Sequence, residues 1–476
     1  MSKNDYKRRI NRRRFRQLSR HLPTFMVLLF LVVLLGAGIF LAGRFLFLKR
    51  SASAVTALDP SASASQALSQ ADESDPVARL IAQADRLAAG YDYDKAIALI
   101  ESDPAASGDE RGQKAIEAYK ETKSTLVKAD PTQITHVFFH TLVMDPARAF
   151  DGDNDAKGYN SVMTTRDEFV RILEEMYKNN YVLVRLHDVA YEETDENGNP
   201  HFVYGNIMLP EGKKPFVMSQ DDVCYYDYMK DDGFASRLVI GEDGEITCEM
   251  VMEDGSVSTG PYDLVPILED FIEEHPDFSY RGARAILAFT GYQGILGYRT
   301  AASYSDSPTY EEDRKQAAQV AQRLKEMGWE LASHSWGHLK LGVSDTPDQL
   351  FAISDERFTA DVDKWEAEVE SLIGPTDILI YPFGNDIAGY HPYTAENTRF
   401  NYLMSKGFRY FCNVDASKSY WIQKGDDYLR MARRNLDGYR LYEDMIQTDP
   451  AKKRLADLFD SSLIFDSSRP TPVTWY

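Results

Sequence analysis

Two strings 113 residues apart carry side chains whose types and spacing suit hydrolytic chemistry. Asp221-Asp222 ends the run Pro215-Phe216-Val217-Met218-Ser219-Gln220, and His334-Ser335-Trp336-Gly337-His338 follows Trp329-Glu330-Leu331-Ala332. Two imidazoles and one carboxylate can hold a divalent ion with positions left open, and a second carboxylate beside the ion can accept a proton. The four-residue spacing of His334 and His338 would place both on one face of a helical turn. Alone, each string is modest: nine histidines make a chance His-x-x-x-His plausible, and an acidic chain holds many paired carboxylates. What sets the Asp pair apart from a solvated loop is the apolar run that leads into it. A third string, Ile378-Leu379-Ile380-Tyr381-Pro382-Phe383-Gly384-Asn385, is an apolar strand stopped by Pro and Gly, which by itself is an ordinary strand-to-loop turn.

The elements that must position these residues alternate. From residue 131, segments 134–139, 181–186, 215–218, 285–289, 330–332, 377–381 and 408–412 read as strands. Segments 166–178, 264–274, 313–327, 359–373 and 394–406 have helical periodicity. Such alternation implies parallel strands wrapped by helices, in a (β/α) barrel or an open α/β sheet. Barrels place their chemistry at the carboxyl ends of strands, where the motifs fall. Segments 189–213 and 231–262 break the alternation and carry hairpin signals such as Asn197-Gly198 and Asp254-Gly255. They read as β-rich insertions.

The net charge of −21 over 476 residues hides an asymmetry. Residues 1–50 hold twelve Lys/Arg and one Asp, whereas the rest hold 41 basic and 73 acidic side chains. An acidic main part argues against nucleic acid as a partner. Basic residues 1–23 precede an apolar segment, 24–48, about one bilayer crossing long. The charge bias predicts a single-pass anchor in the cell membrane, with the N-terminus cytoplasmic and the remainder outside. A cleaved signal peptide is the alternative and leaves the remainder outside as well. The Ser/Ala-rich stretch 49–75 reads as a flexible linker. Residues 76–130 read as a helical hairpin of tetratricopeptide type, either a stalk or a module for a protein partner. The main domain then spans 131–450, followed by a C-terminal tail, 451–476. Three cysteines imply no disulfide framework, although one pair could form.

In order and context these strings resemble the polysaccharide deacetylase family (NodB-homology domain, carbohydrate esterase family four) over roughly residues 131–440. The family's Thr-Phe-Asp-Asp-Gly corresponds to Ser219-Gln220-Asp221-Asp222-Val223. Its His-Ser/Thr-x-x-His corresponds to His334 through His338, and the Tyr-Pro-Tyr-Gly of one branch to Tyr381-Pro382-Phe383-Gly384. Phe139-His140-Thr141-Leu142 resembles that branch's early Tyr-His segment. The resemblance implies a distorted, TIM-like (β/α) barrel. It also implies metal ligation by Asp222, His334 and His338, with Asp221 as general base and an oxyanion donor at or near the Tyr381 backbone. The ion would be Zn2+, with Co2+, Ni2+ or Mn2+ possible by availability. Trp336, Pro382, Phe383 and His140 would line the substrate site; His140, which ends an early strand, is either the proton donor or a structural histidine. The implied activity is metal-dependent removal of N-acetyl groups from N-acetylglucosamine units of a cell-envelope or exported polysaccharide. The alternatives are an O-acetyl esterase and a glycan-binding protein of the same fold that has lost turnover. The sequence departs from the family pattern at Gln220 and Val223. It also departs at Ile380, where an arginine usually orients the base, and at 432–438, which lacks the family's last histidine. Tyr225-Tyr226-Asp227-Tyr228 reads as packing or as a sugar platform.

Overall fold

The computed structural model describes residues 75–342 and 353–475. The expected cytoplasmic tail and membrane anchor, and the linker up to residue 74, lie outside the described residues. Among the described residues no helix is long and apolar enough to cross a membrane.

Seven strands close into a ring: β1 Thr135–Phe139, β2 Lys214–Gln220, β3 Ile286–Phe289, β4 Glu330–Ser333, β5 Ile378–Ile380, β6 Tyr410–Val414 and β7 Leu429–Asn435. Each is parallel to the next, and β7 pairs with β1 to complete the barrel. Helices α1 Arg166–Lys178, α2 Leu264–Glu274, α3 Tyr310–Met327, α4 Asp355–Trp365 and α5 Thr398–Ser405 lie in the connections, and α6 Gly438–Ile446 follows β7. The barrel expected from the alternation is present, and closure removes the open-sheet alternative. Helix α1 shows why local sequence sufficed for such elements. Thr165 and Glu168 form a reciprocal capping box at its start, and Phe169, Ile172, Leu173 and Met176 form its buried stripe.

Alternate strand residues enter two separate apolar clusters. Val137, Phe216, Met218, Leu287, Phe289, Leu331, Leu379 and Phe411 pack with the helices. Val217, Ile286, Ala288, Ala332, Ile380, Cys412 and Met431 form the other cluster, inside the ring. Burial on both faces explains why these strands read as unbroken apolar runs.

Two readings change. The segment expected as a strand over 181–186 forms only Tyr181–Leu183, which pairs with the first residues of β2 and bridges Ser279 ahead of β3, while β3 pairs with the last two residues of β2. It is wedged between the two at their amino-terminal ends, with Val182 in the inner cluster. The seventh strand escapes the alternation because Leu-Arg-Met-Ala-Arg-Arg-Asn reads as solvated. Its three arginines are all buried, each paired with a carboxylate: Arg430 with Asp386 at 2.8 Å, Arg433 with Asp221 at 2.6 Å and Arg434 with Asp457 at 2.8 Å. A guanidinium tolerates burial only with such a partner.

Both β-rich insertions form, one as the hairpin Ala190–Thr194 with Pro200–Tyr204 and the other as a three-stranded sheet over residues 237–260. The segment 76–130 is larger than one hairpin. It contains helices Pro76–Ala89, Tyr93–Ser102, Pro104–Gly108 and Glu110–Ser124. Asp75, Asp103 and Asp109 cap three of them with side-chain acceptors. Residues 451–475 pack onto the domain instead of trailing from it: Arg469 and Glu168 form a fully buried ion pair at 2.6 Å. The three cysteines are buried and free, so no pair forms.

At the amino-terminal ends of β4 and β5, His187 bridges two carboxylates. Its Nε2 lies 3.1 Å from both Asp377 oxygens and its Nδ1 bonds Glu330. Burial favours the neutral ring, but the hydrogen bonds and charges of Asp377 and Glu330 outweigh it and raise the pKa to about 10. A folded-state pKa above the unfolded value contributes stability that is complete below about 6.5 and lost as pH rises through about 10. Because the side chain is 40% exposed, solvent screens part of this contribution. The melting temperature is expected to fall more steeply between pH 7 and 10 in the wild type than in His187→Gln. Parallel slopes would show that the bridge contributes nothing.

Candidate active site

The residues singled out in the sequence follow the carboxyl-terminal ends of barrel strands. Asp221 and Asp222 follow β2, His334 follows β4, Tyr381 follows β5 and His140 follows β1. The loops are fixed where they leave the barrel: Asp221 N–H donates to the Phe139 carbonyl at 2.8 Å, and His334 N–H to the Phe289 carbonyl at 2.9 Å.

Asp222, His334 and His338 present donor atoms that all lie within 4.8 Å of one another. His338 Nε2 is 3.7 Å from Asp222 Oδ2, and the two imidazole centroids are 5.0 Å apart. His334 Nδ1–H donates to the Ile380 carbonyl at 2.8 Å, which fixes the tautomer and leaves Nε2 for the cluster. One carboxylate and two imidazoles, one with such an outer partner, fit a divalent ion of the zinc type. A second trio, Asp153, Asp155 and Asp232, is all carboxylate and largely exposed, an arrangement common without any ion.

The expected helical turn over 334–338 does not form. The segment is a loop in which Ser335 and His338 take positive φ, 63° and 52°. Asp361 of α4 holds it by accepting from the Trp336 and Gly337 amides at 2.9 and 2.8 Å. Gly291 donates to the Trp336 carbonyl, and a Cβ there would meet the indole at 2.2 Å, so the loop requires glycine. Asp222 (φ 57°) and Phe383 (φ 58°) are also left-handed. Left-handed non-glycine residues on three loops of one face are what a site held under strain looks like.

Asp221 is the residue whose surroundings decide its role. It is buried, and Arg433 grips it through two bonds, Nη1 to Oδ1 at 2.6 Å and Nη2 to Oδ2 at 2.9 Å. Its Oδ2 is 3.9 Å from His334 Nε2. Burial pushes its carboxyl pKa up, but Arg433 and His334 outweigh burial and hold it well below the usual carboxylate range. Below the pair, Ser219 Oγ contacts both Arg433 Nη1 (3.2 Å) and His136 Nε2 (2.9 Å), so the barrel interior is polar under the site. Sequence reasoning missed Arg433. The signal was present: Ile380 leaves the base without an arginine, and Arg433-Arg434 occupies the stretch where the family's last histidine was sought.

The departures at Gln220 and Val223 find structural accounts. Gln220 Nε2 donates to both oxygens of buried Asp263 at 3.0 Å, and Tyr225 donates to the same carboxylate at 2.6 Å. Val223 is buried, and its backbone keeps negative φ because the left-handed residue is Asp222.

The expected role of Tyr381 needs correction. Its hydroxyl is buried 2.8 Å from that of Tyr393, and its amide donates to the Cys412 carbonyl at 2.9 Å, so neither faces a substrate. Pro382 is buried in the turn that follows. Phe383 is exposed and stands edge-on to His338, with centroids 4.5 Å apart. Trp336 lines a cleft of about 530 Å³ with His338, Tyr292, Arg357 and Lys364, and the Lys364 ammonium lies 3.5 Å from its ring centre. His140 Nδ1 donates to the Val162 carbonyl at 3.1 Å.

No protein-family model and no curated protein sequence matches the chain. Among solved structures, one similar chain is a de-N-acetylase from Aggregatibacter actinomycetemcomitans. It is 14% identical, with 64% of this chain and 95% of that chain covered and a TM-score of 0.35. Another is the deacetylase PplD of Streptococcus pyogenes in complex with acetate, 14% identical, covering 65% and 93% at a TM-score of 0.32. A third is the α-N-acetylgalactosaminidase NagBb of Bifidobacterium bifidum, 14% identical, covering 79% and 56% at 0.20. At this level the likenesses carry no argument about the chemistry of this chain.

Proposed function

We propose that the protein is a metal-dependent hydrolase that removes N-acetyl groups from N-acetylglucosamine units of a cell-envelope or exported polysaccharide. The observation that carries this reading is the division of labour between adjacent carboxylates. Asp222 faces two histidines with the geometry of a ligand set, while Asp221 is held ionised by Arg433 beside that set.

A divalent ion at Asp222, His334 and His338 would activate water and polarise the acetamide carbonyl. Asp221 accepts the proton as water attacks, and Arg433 keeps the carboxylate charged and fixed for that role. His140, tethered through Nδ1 at the end of β1, is the proton donor to the leaving amine. Phe383 and Trp336 border the ligand His338 and shape the entrance. The buried Arg433–Asp221 pair weighs against the alternative of a glycan-binding protein without turnover, since a binding surface has no need of an oriented buried base. Zn2+ suits the donor set best. With the N-terminal segment as a membrane anchor, the domain would meet its polymer outside the cell, and the helical module at 76–124 would be free to meet a protein partner.

The discriminating experiment compares acetate release from N-acetylglucosamine oligomers with release from O-acetylated glycans that carry no acetamide. Release from the first is the expected result. Release confined to O-acetyl esters would replace this reading with the esterase.

A further inference from the structure

We propose that Tyr226 is a positioning residue that restricts Asp222 to single-oxygen coordination of the divalent ion; this rests on the metal reading given above. Tyr226 lies four residues after Asp222, and its side chain is buried. Its hydroxyl is 2.5 Å from Asp222 Oδ1 and 2.6 Å from Oγ1 of Thr290, the residue that follows β3. An ionised carboxylate only accepts, so the single phenolic proton goes to Asp222, and Thr290 donates to the phenol oxygen in turn. The direction of both bonds is therefore fixed.

The ring cannot swing away. Tyr292 stacks on it at 5.1 Å with planes 13° apart, and Tyr228 at 5.4 Å with planes 18° apart. Tyr226 thus caps one side of the carboxylate, while the other oxygen, Oδ2, is the one directed at His338. A carboxylate free at both oxygens can chelate a divalent ion through both. One capped by a phenol offers a single oxygen, which with two imidazoles leaves positions open for water and a carbonyl. Loss of such an outer partner costs about 10–100-fold in metal affinity or activity. Of the tyrosines near the Asp pair, Tyr226 is thus the one that touches a ligand, whereas Tyr225 is spent on Asp263.

The test uses the full-length protein, stripped with a chelator and titrated with Co2+, with visible absorption and thermal unfolding both followed. The wild type is expected to give a defined Co2+ spectrum. Tyr226→Phe is expected to bind Co2+ at least ~10-fold more weakly and to give a weaker, altered d–d absorption as Asp222 turns and adds its second oxygen. Tyr228→Phe, which keeps the stacked ring and leaves the Tyr226 hydroxyl in place, is expected to match the wild type. A Tyr226→Phe protein with wild-type Co2+ affinity and spectrum would overturn the proposal, even if its melting temperature fell, because that would leave the hydroxyl a packing role only. Absence of any Co2+ spectrum from the wild type would overturn the metal reading itself.

Discussion

Asp221→Asn is expected to lower acetate release by about 10²–10⁴-fold, the usual worth of a positioned general base, while bound metal stays at the wild-type level. The separation is possible because the two adjacent carboxylates have different partners. Asp222 Oδ2 faces His338, whereas both Asp221 oxygens are taken by Arg433 and Oδ2 also faces His334 at 3.9 Å. An amide keeps the shape but cannot accept the proton. It also leaves Arg433 buried opposite a neutral group, so some loss of stability is expected alongside. If Asp221→Asn retained wild-type turnover, Asp221 would not be the base. If it lost its metal, the division of roles between the two carboxylates would be wrong.

The second large effect belongs to Arg433. Removing one partner of a buried, hydrogen-bonded ion pair strands the other charge, at a cost of about 3–5 kcal/mol. Arg433→Met is therefore expected to lower the unfolding free energy in urea by that amount. Burial would then act on Asp221 unopposed by its largest counter-charge, and the loss of an ionised, oriented base should reduce kcat by about 10²-fold or more. Arg433→Lys restores charge but not the two-pronged grip, since an ammonium is a point charge where the guanidinium is a planar fork. It should recover much of the stability and little of the turnover. Equal recovery of both would mean that charge alone, without orientation, is what Asp221 needs.

Much of this was legible in the sequence because it rests on local patterns. Helix Arg166–Lys178 carries its own cap and stripe and Leu264–Glu274 its buried stripe, and strands buried on both faces read as apolar runs. Four of the site's side chains, Asp221, Asp222, His334 and His338, stood out by type and spacing. Arg433 did not, because its role depends on pairing across the barrel between β7 and the end of β2, 212 positions apart in sequence. A buried arginine looks like a surface arginine until its partner is known. Tyr381 was misread for the converse reason. Its neighbours in sequence are those of a motif, but its amide, the expected oxyanion donor, is spent on the Cys412 carbonyl in the pairing of β5 with β6, and its side chain points into the outer core beside Tyr393. The helical spacing of His334 and His338 was right about their convergence and wrong about its cause, which is a loop pinned by Asp361.

The most direct test is acetate release from N-acetylglucosamine oligomers by the protein after chelation, and again after Zn2+ or Co2+ is restored, with the His334→Ala/His338→Ala double variant as the control. The account predicts release that disappears on chelation, returns with metal, and is absent from the double variant under both conditions. Release that persists without metal, or that the double variant retains, would contradict it.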